Sequence, residues 1–108
     1  MVNMSDFQIV LSTCGERETA ERIAHRLVEQ RLAACVNILP GVQSVYRWQG
    51  AVESESEVLM LIKTKASLIQ EVQSTIASLH SYEVPEFLVL PISGGSDSYM
   101  AWLEASLG

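Results

Sequence analysis

The residues of this chain best able to bind a soft metal ion are two cysteines and two histidines, Cys14, Cys35, His25 and His80. Copper and zinc sites need several imidazole or thiolate ligands held close together. No segment offers two of these residues at ligand spacing, and the cysteines form no CxxC motif. Any strong site must therefore be assembled from distant segments or from neighbouring subunits.

Sequence motifs for catalysis are missing. The chain has no glycine-rich phosphate loop, no nucleophile elbow and no HExxH motif. The GVQ segment at residues 41–43 faintly resembles acylphosphatase, but the arginine-bearing phosphate loop of that chemistry is absent after the first strand. Residues 14–17 (CGER) do not replace it, because acidic Glu16 stands where an anion would bind. We therefore do not expect an enzyme.

The element expected to position functional residues is a long β-hairpin, with arms from Ala34 to Trp48 and from Ala51 to Thr64. Its arms are rich in β-branched and aromatic residues, and Gly50 supplies the positive φ of the turn. Pro40 lacks an N–H, so Pro40-Gly41 predicts a bulge or bend. Arms of this length, at about 3.3 Å per residue, exceed the width of a compact domain of this size. Part of the hairpin must overhang, and we expect its apolar residues to pack on other subunits.

The rest of the chain is predicted to alternate strands and helices. Phe7 to Thr13 is an apolar strand. The helix after it has apolar residues at i, i+3, i+4, i+7 and i+8, namely Ala20, Ile23, Ala24, Leu27 and Val28. After the hairpin, residues 67–70 have the form of a capping box that opens a second helix. Phe87 to Ile92 is predicted as a buried strand, and Ser96 or Asp97 caps a last helix.

This order, βαββαβ plus a C-terminal helix, predicts an α+β, ferredoxin-like single domain over residues 1–108. Right-handed crossovers place both internal helices on one face of the sheet. The other face is left open, and packing of sheets between subunits is the economical way to cover its apolar residues. A homo-oligomer is therefore expected both from the hairpin and from the open sheet.

The composition limits the partners and the compartment. Thirteen acidic residues against seven basic ones give a net charge of -6, which argues against nucleic acid. The N-terminus has no basic leader pattern, and the longest apolar run, Val58 to Ile62, is too short to span a bilayer. We therefore expect a cytoplasmic protein with no membrane partner, in which both cysteines are free thiols.

Three segments resemble the CutA divalent-cation tolerance family: LAACVNILPGVQSVYRWQG at residues 32–50, LIKT at 61–64 and HSYEVPE at 80–86. Tyr99 and Trp102 in the last helix add to the resemblance, which spans nearly the whole chain. It implies a ferredoxin-like subunit in a tight cytoplasmic homotrimer, linked to tolerance of copper and other divalent metals. It also implies an architecture similar to that of PII signalling proteins.

The resemblance further implies metal ligands. Some family members carry a cysteine at the end of the first strand and a histidine pair before the PYEVPE segment, both proposed as copper ligands. Here the strand position is Ser12, with Cys14 two residues later, and the pair reads Leu79-His80. We therefore expect His80, helped by Cys14, to contact Cu(II) or another divalent metal that folding does not require. Alternatively, His80 is a helix-end histidine that meets the helix dipole, and Cys35 is a small core residue.

A second set of residues on or beside these motifs combines aromatic and charged groups: Trp48, Glu57, Lys63, Tyr82, Glu86 and Trp102. Groups of this kind could line a cleft between subunits. Lys63 shares a strand face with apolar residues, so its ammonium needs a carboxylate partner, for which Glu57 and Glu86 are the candidates, or must emerge at an edge. Alternatively, the set is a structural network in the interface.

The resemblance implies two alternative functions. The first is a trimer that takes part in divalent metal tolerance by binding metal ions such as copper. The second is a PII-like regulatory or scaffold trimer, in which the cleft around Lys63 and Glu86 binds a small molecule or another protein.

Overall fold

The centre of the fold is a four-stranded antiparallel sheet with the strand order β2-β3-β1-β4. The structure is a computed structural model that describes residues 6–108, so the first five residues of the expected domain lie outside it. The strands are β1 (Phe7–Cys14), β2 (Cys35–Trp48), β3 (Ala51–Lys65) and β4 (Leu88–Pro91). The helices are α1 (Arg17–Glu29), α2 (Ile69–Leu79) and α3 (Asp97–Ser106). The α+β class and the order of elements agree with the sequence analysis.

The predicted hairpin of β2 and β3 is confirmed. Its strands pair from Cys35 opposite Lys63 to Trp48 opposite Ala51. The turn has positive φ at Gln49 and Gly50, 49° and 82°. The pairing register shifts between Leu39 and Val42, where the sequence predicted a bulge at the proline and glycine. The described chain measures 49 by 25 by 23 Å, because residues 51–56 and their partners extend beyond the core as predicted.

The two faces of the sheet differ in burial. Val58, Met60 and Ile62 of β3 are buried among residues of α1 and α2, because alternate residues of a strand point to the same face of the sheet. On the other face, Leu59, Leu61 and Lys63 are only half-buried. Helix α3 lies over one end of that face, since its residue Tyr99 is close to Cys35 and its residue Glu104 lines a shallow cavity with Phe7 and Lys65.

Some local expectations were wrong. Helix α2 does not begin with a capping box, because a 3₁₀ turn at Ala66–Leu68 precedes it and Leu68 makes no side-chain cap bond. Strand β4 is not buried: it lies at the sheet edge, pairs only with β1 and exposes all four residues. Val28 is 43% exposed at the end of the apolar stripe of α1.

The cap of α3 was predicted correctly, since Ser96 accepts a hydrogen bond from the Tyr99 backbone N–H. Within residues 6–108, no helix is long and apolar enough to cross a membrane.

Candidate functional site

Four polar or reactive residues lie near Glu57 or beside its neighbour Tyr82, and together with Glu57 we call them the Glu57 cluster: Cys14, Glu57, His80, Tyr82 and Glu86. Three structural elements bring them together. Cys14 ends β1 opposite Val58 of β3, beside Glu57 in the register of the sheet. The other three lie in the segment at 80–86 that leaves α2 and leads to β4. The cluster therefore unites the expected metal residues with half of the expected cleft residues.

The hydroxyl of Tyr82 is the direct link between this segment and the sheet. It donates a hydrogen bond to Glu57 Oε2 at 2.8 Å. Gly15 makes room for it, because a Cβ at that position would lie 3.1 Å from the Tyr82 hydroxyl oxygen. The Ser12 hydroxyl adds a second tie by donating to the Glu86 backbone carbonyl at 2.7 Å. The sequence indicated Gly15 only as part of a turn from the first strand into a helix, and it gave no signal of the contact with Tyr82.

Both ring nitrogens of His80 are engaged inside the protein. Nδ1 accepts a hydrogen bond from the Tyr82 backbone N–H at 3.0 Å, and Nε2 lies 2.6 Å from the backbone carbonyl oxygen of Thr13. An acceptor at Nδ1 and a carbonyl beside Nε2 together select the neutral tautomer with its proton on Nε2. The ring also packs 4.6 Å, centroid to centroid, from the ring of Tyr82. His80 therefore fastens the segment at 80–86 to the end of β1.

The electrostatics of the cluster centre on Glu57, which is only 7% exposed. Burial raises the pKa of the Tyr82 hydroxyl well above its usual range, and the hydrogen bond to Glu57 and its charge raise it further. Burial also raises the pKa of the Cys14 thiol, and the charge of Glu57 adds to that effect. Glu86 is largely exposed, yet loss of water around its carboxyl, followed by the charge of Glu57, raises its pKa. The negative charge of Glu57 therefore contributes to the raised pKa of three neighbours, Cys14, Tyr82 and Glu86.

The residues expected to bind copper do not form a ready copper site in one chain. His80 has no free nitrogen lone pair, and the buried Cys14 thiol donates weakly to the Glu16 carbonyl at 3.4 Å. Its raised pKa disfavours the thiolate that a soft metal needs. Across residues 6–108, no three His, Cys, Asp or Glu side chains converge closely enough to hold a metal ion. Further ligands would have to come from water or from another subunit.

The other expected cleft residues lie elsewhere in the chain. Trp48 is 39% exposed at the hairpin tip, and Trp102 is 47% exposed on α3, with its ring 5.5 Å from that of Tyr99. Lys63 is six residues from Glu57 along β3, roughly 20 Å away. Its ammonium donates to the side-chain oxygen of Asn37 and contacts the Cys35 sulfur at 3.7 Å, so Glu57 and Glu86 are not its partners within this chain.

Comparison with known proteins gives the family. The model of the family described as "CutA1 divalent ion tolerance protein" matches residues 8–106. The chain belongs to the CutA1 family. It is 47% identical over 98 residues to "Protein CutA, chloroplastic" of Arabidopsis thaliana. The aligned residues make up 91% of this chain but 54% of that protein, so the chain spans about half the length of that relative. It is 46% identical over 104 residues to the divalent-cation tolerance protein CutA of Pectobacterium atrosepticum, and the aligned residues make up 96% of this chain and 94% of that protein.

A solved structure supports the same assignment. The divalent cation tolerance protein of Thermus thermophilus superposes with a TM-score of 0.91 at 45% identity and covers 94% of this chain and 99% of its own. The family recognised from the sequence is therefore confirmed. CutA1 proteins are named for tolerance of divalent ions and not for a catalysed reaction.

Proposed function

We propose that this CutA1-family chain acts in divalent metal tolerance as a cytoplasmic homotrimer of ferredoxin-like subunits, and that a divalent cation binds at the Glu57 cluster. The observation that carries the proposal is the buried carboxylate of Glu57, which has a phenol donor but no cationic partner. Among the residues described, Arg17 and Glu21 form the sole ion pair. Removing a carboxylate from water without a positive partner is costly, so a bound cation would stabilise this site.

The donor atoms favour a particular kind of cation. Glu57 and Glu86 offer carboxylate oxygens, which suit cations that prefer oxygen ligands, such as Mn(II) or Mg(II). Cu(II) binding would require His80 to give up a hydrogen bond or Cys14 to lose its proton. We therefore propose an oxygen-bound divalent ion at the cluster, with water or a neighbouring subunit completing its coordination.

Exposed apolar surface supports the homotrimer. Val45 and Val52, in the overhanging part of the hairpin, are 69% and 66% exposed. Strand β4 is an edge strand with four exposed residues, and such edges are normally covered or blunted in soluble proteins. A closed ring of identical subunits can cover the hairpin and the edge at once. Light scattering of the purified protein should give three times the mass of one chain, and a monomeric mass would exclude this assembly.

The two cysteines support the cytoplasm as the compartment. Cys14 and Cys35 are both free thiols, as expected where thiols are kept reduced. The Arabidopsis relative is named as chloroplastic, so the family is not confined to one compartment.

The decisive experiment measures binding of Mn(II), Zn(II) and Cu(II) to metal-free protein by calorimetry. We expect Mn(II) to bind with a fixed number of sites per trimer, and Glu57→Gln to abolish that binding because it removes the buried charge. Glu55→Gln is the matched control, since Glu55 is exposed, lies two residues away in β3 and points to the same face. Binding that survives Glu57→Gln, or that both substitutions weaken equally, would reject the cluster as the site.

A second function, a PII-like trimer that binds an anionic small molecule or a protein in a cleft between subunits, is favoured by Lys63. Because the partner of its ammonium is the neutral side chain of Asn37, its positive charge remains available to an anionic group. We expect Lys63→Gln to abolish binding of any ligand found by thermal-shift screening of anionic metabolites, and Lys65→Gln to preserve it. A monomeric or unfolded Lys63→Gln would show instead that Lys63 supports the structure.

A further inference from the structure

Cys35 and Lys63 form a close pair on the sheet face opposite α1 and α2. They are direct cross-strand partners in β2 and β3, so two rigid strands fix their distance. The Lys63 Nζ lies 3.7 Å from the Cys35 Sγ, and Asn37 holds the ammonium from the neighbouring position on the same face of β2. Cys35 is half-buried, in contrast to a residue enclosed in the core of the subunit. Neither the proposed cation site nor the core requires a thiol beside a lysine.

The second cysteine provides a contrast within the same chain. Cys14 is fully buried, and its thiol contacts the Glu16 carbonyl instead of an amine. Its thiol pKa is raised by burial, which lowers its reactivity towards oxidants. The two thiols should therefore respond differently to the same oxidant.

We propose that peroxide oxidation joins Cys35 and Lys63 covalently, through one oxygen atom placed between Sγ and Nζ. In the first step the Cys35 sulfur attacks peroxide, the O–O bond breaks, and a sulfenic acid and one water form. In the second step the sulfenic O–H and one Lys63 N–H lose their hydrogens as an O–N bond forms. A second peroxide takes up those two electrons and two protons and becomes two waters. The sum is thiol plus amine plus two peroxides, giving the bridge and three waters.

The geometry favours the oxygen bridge over a direct sulfur–nitrogen bond. At 3.7 Å, the two atoms are separated by a gap that one oxygen can fill with small side-chain rotations. A direct bond would require a much larger approach across two strands whose spacing the backbone ladder fixes. The bridge would also withdraw the Lys63 ammonium from Asn37 and remove a positive charge from this face.

The chain suits a direct test because it contains only two lysines, Lys63 and Lys65, and two cysteines. Native full-length protein is treated with hydrogen peroxide, blocked with iodoacetamide, digested with trypsin and analysed by tandem mass spectrometry. We expect peptide 32–47, which contains Cys35, to be linked to peptide 48–65, uncleaved after Lys63. The linked mass should exceed the sum of the two by about 14 Da, for one oxygen gained and two hydrogens lost.

Two variants make the outcome specific. Lys63→Arg keeps a positive charge but should abolish the linked peptide and leave Cys35 to proceed to sulfinic acid. Lys65→Arg should give the same link as the wild type. Sulfinic acid at Cys35 with no linked peptide in the wild type would overturn the proposal, as would a link to Lys65. The wild-type digest decides the question even if Lys63→Arg does not fold.

Discussion

Replacing Tyr82 by phenylalanine should destabilise the protein through the charge of Glu57 rather than through lost packing. The substitution removes the hydroxyl that donates to this buried carboxylate at 2.8 Å, and keeps the ring that packs on His80. A hydrogen bond to a charged group contributes about 1.5–3 kcal/mol, and a buried acceptor left without its donor adds to the loss. We therefore expect the free energy of unfolding to fall by about 2 kcal/mol for each chain.

The same substitution made in a Glu57→Gln background separates charge from packing. A neutral amide accepts a weaker hydrogen bond, of about 1 kcal/mol, so the double-mutant cycle should give a coupling of about 1 kcal/mol. Urea unfolding, followed by circular dichroism at one fixed protein concentration, measures all four proteins. Tyr46→Phe is the control, because Tyr46 is 37% exposed on the hairpin and should change stability by less than about 0.5 kcal/mol. Equal effects of Tyr82→Phe in the two backgrounds would refute the role given to Glu57.

Three further predictions concern the C-terminus, the pH dependence and the assembly. Arg31→Ala should lower the free energy of unfolding by about 1 kcal/mol and speed amide hydrogen exchange in α3. The reason is that the exposed guanidinium donates to two carbonyls at the end of that helix, at 2.8 and 3.3 Å. Unchanged exchange rates in α3 would contradict this prediction. The pKa of Glu86 is raised in the folded protein above its ordinary value of 4.5. The stability that the protonated Glu86 carboxyl contributes is therefore fully present below pH 4.5 and is lost as the pH rises through the folded-state pKa. Glu86→Gln should therefore stabilise the protein near pH 7 but not near pH 4. An equal change in the free energy of unfolding at both pH values would exclude the titration of Glu86 as its cause. Val45→Asp should dissociate the proposed trimer and remove the concentration dependence of unfolding, whereas a variant of unchanged mass would place the interface elsewhere.

The sequence predicted well those features that depend on local pattern. Gly50 and Pro40 locate the hairpin turn and the bulge, because glycine permits the positive φ that the turn needs, whereas proline fixes φ and lacks the N–H of a regular ladder. It failed for β4, since a continuous apolar run is compatible both with a buried strand and with an edge strand awaiting a partner. The distinction depends on which strands lie beside it, and β4 has a neighbour on one side only.

The candidate site was harder to predict because its residues are far apart in sequence. The motif at residues 80–86 indicated that His80, Tyr82 and Glu86 matter, but not that their partners would be the Thr13 carbonyl and the Glu57 carboxylate. Those pairings depend on the register of β1 against β3 and on the path of the chain after α2. For Lys63, neither candidate carboxylate is its partner within one chain, because the cross-strand register places Cys35 opposite it, with Asn37 nearby.

The position of Glu57 along the hairpin connects the proposed cation site with the proposed assembly. From Ala51 to Ser56 every residue of β3 is exposed, and from Glu57 onwards the strand is buried or half-buried. Glu57 pairs with Val42, the first residue after the bulge in β2. The carboxylate therefore lies where the overhanging part of the hairpin meets the core, and a neutral residue there would complete the core without any cost of burying charge. A cation bound at this boundary would offset the cost of burying the charge. Because the overhang is the part proposed to contact other subunits, a cation at Glu57 would lie beside that interface and stabilise the trimer as it binds.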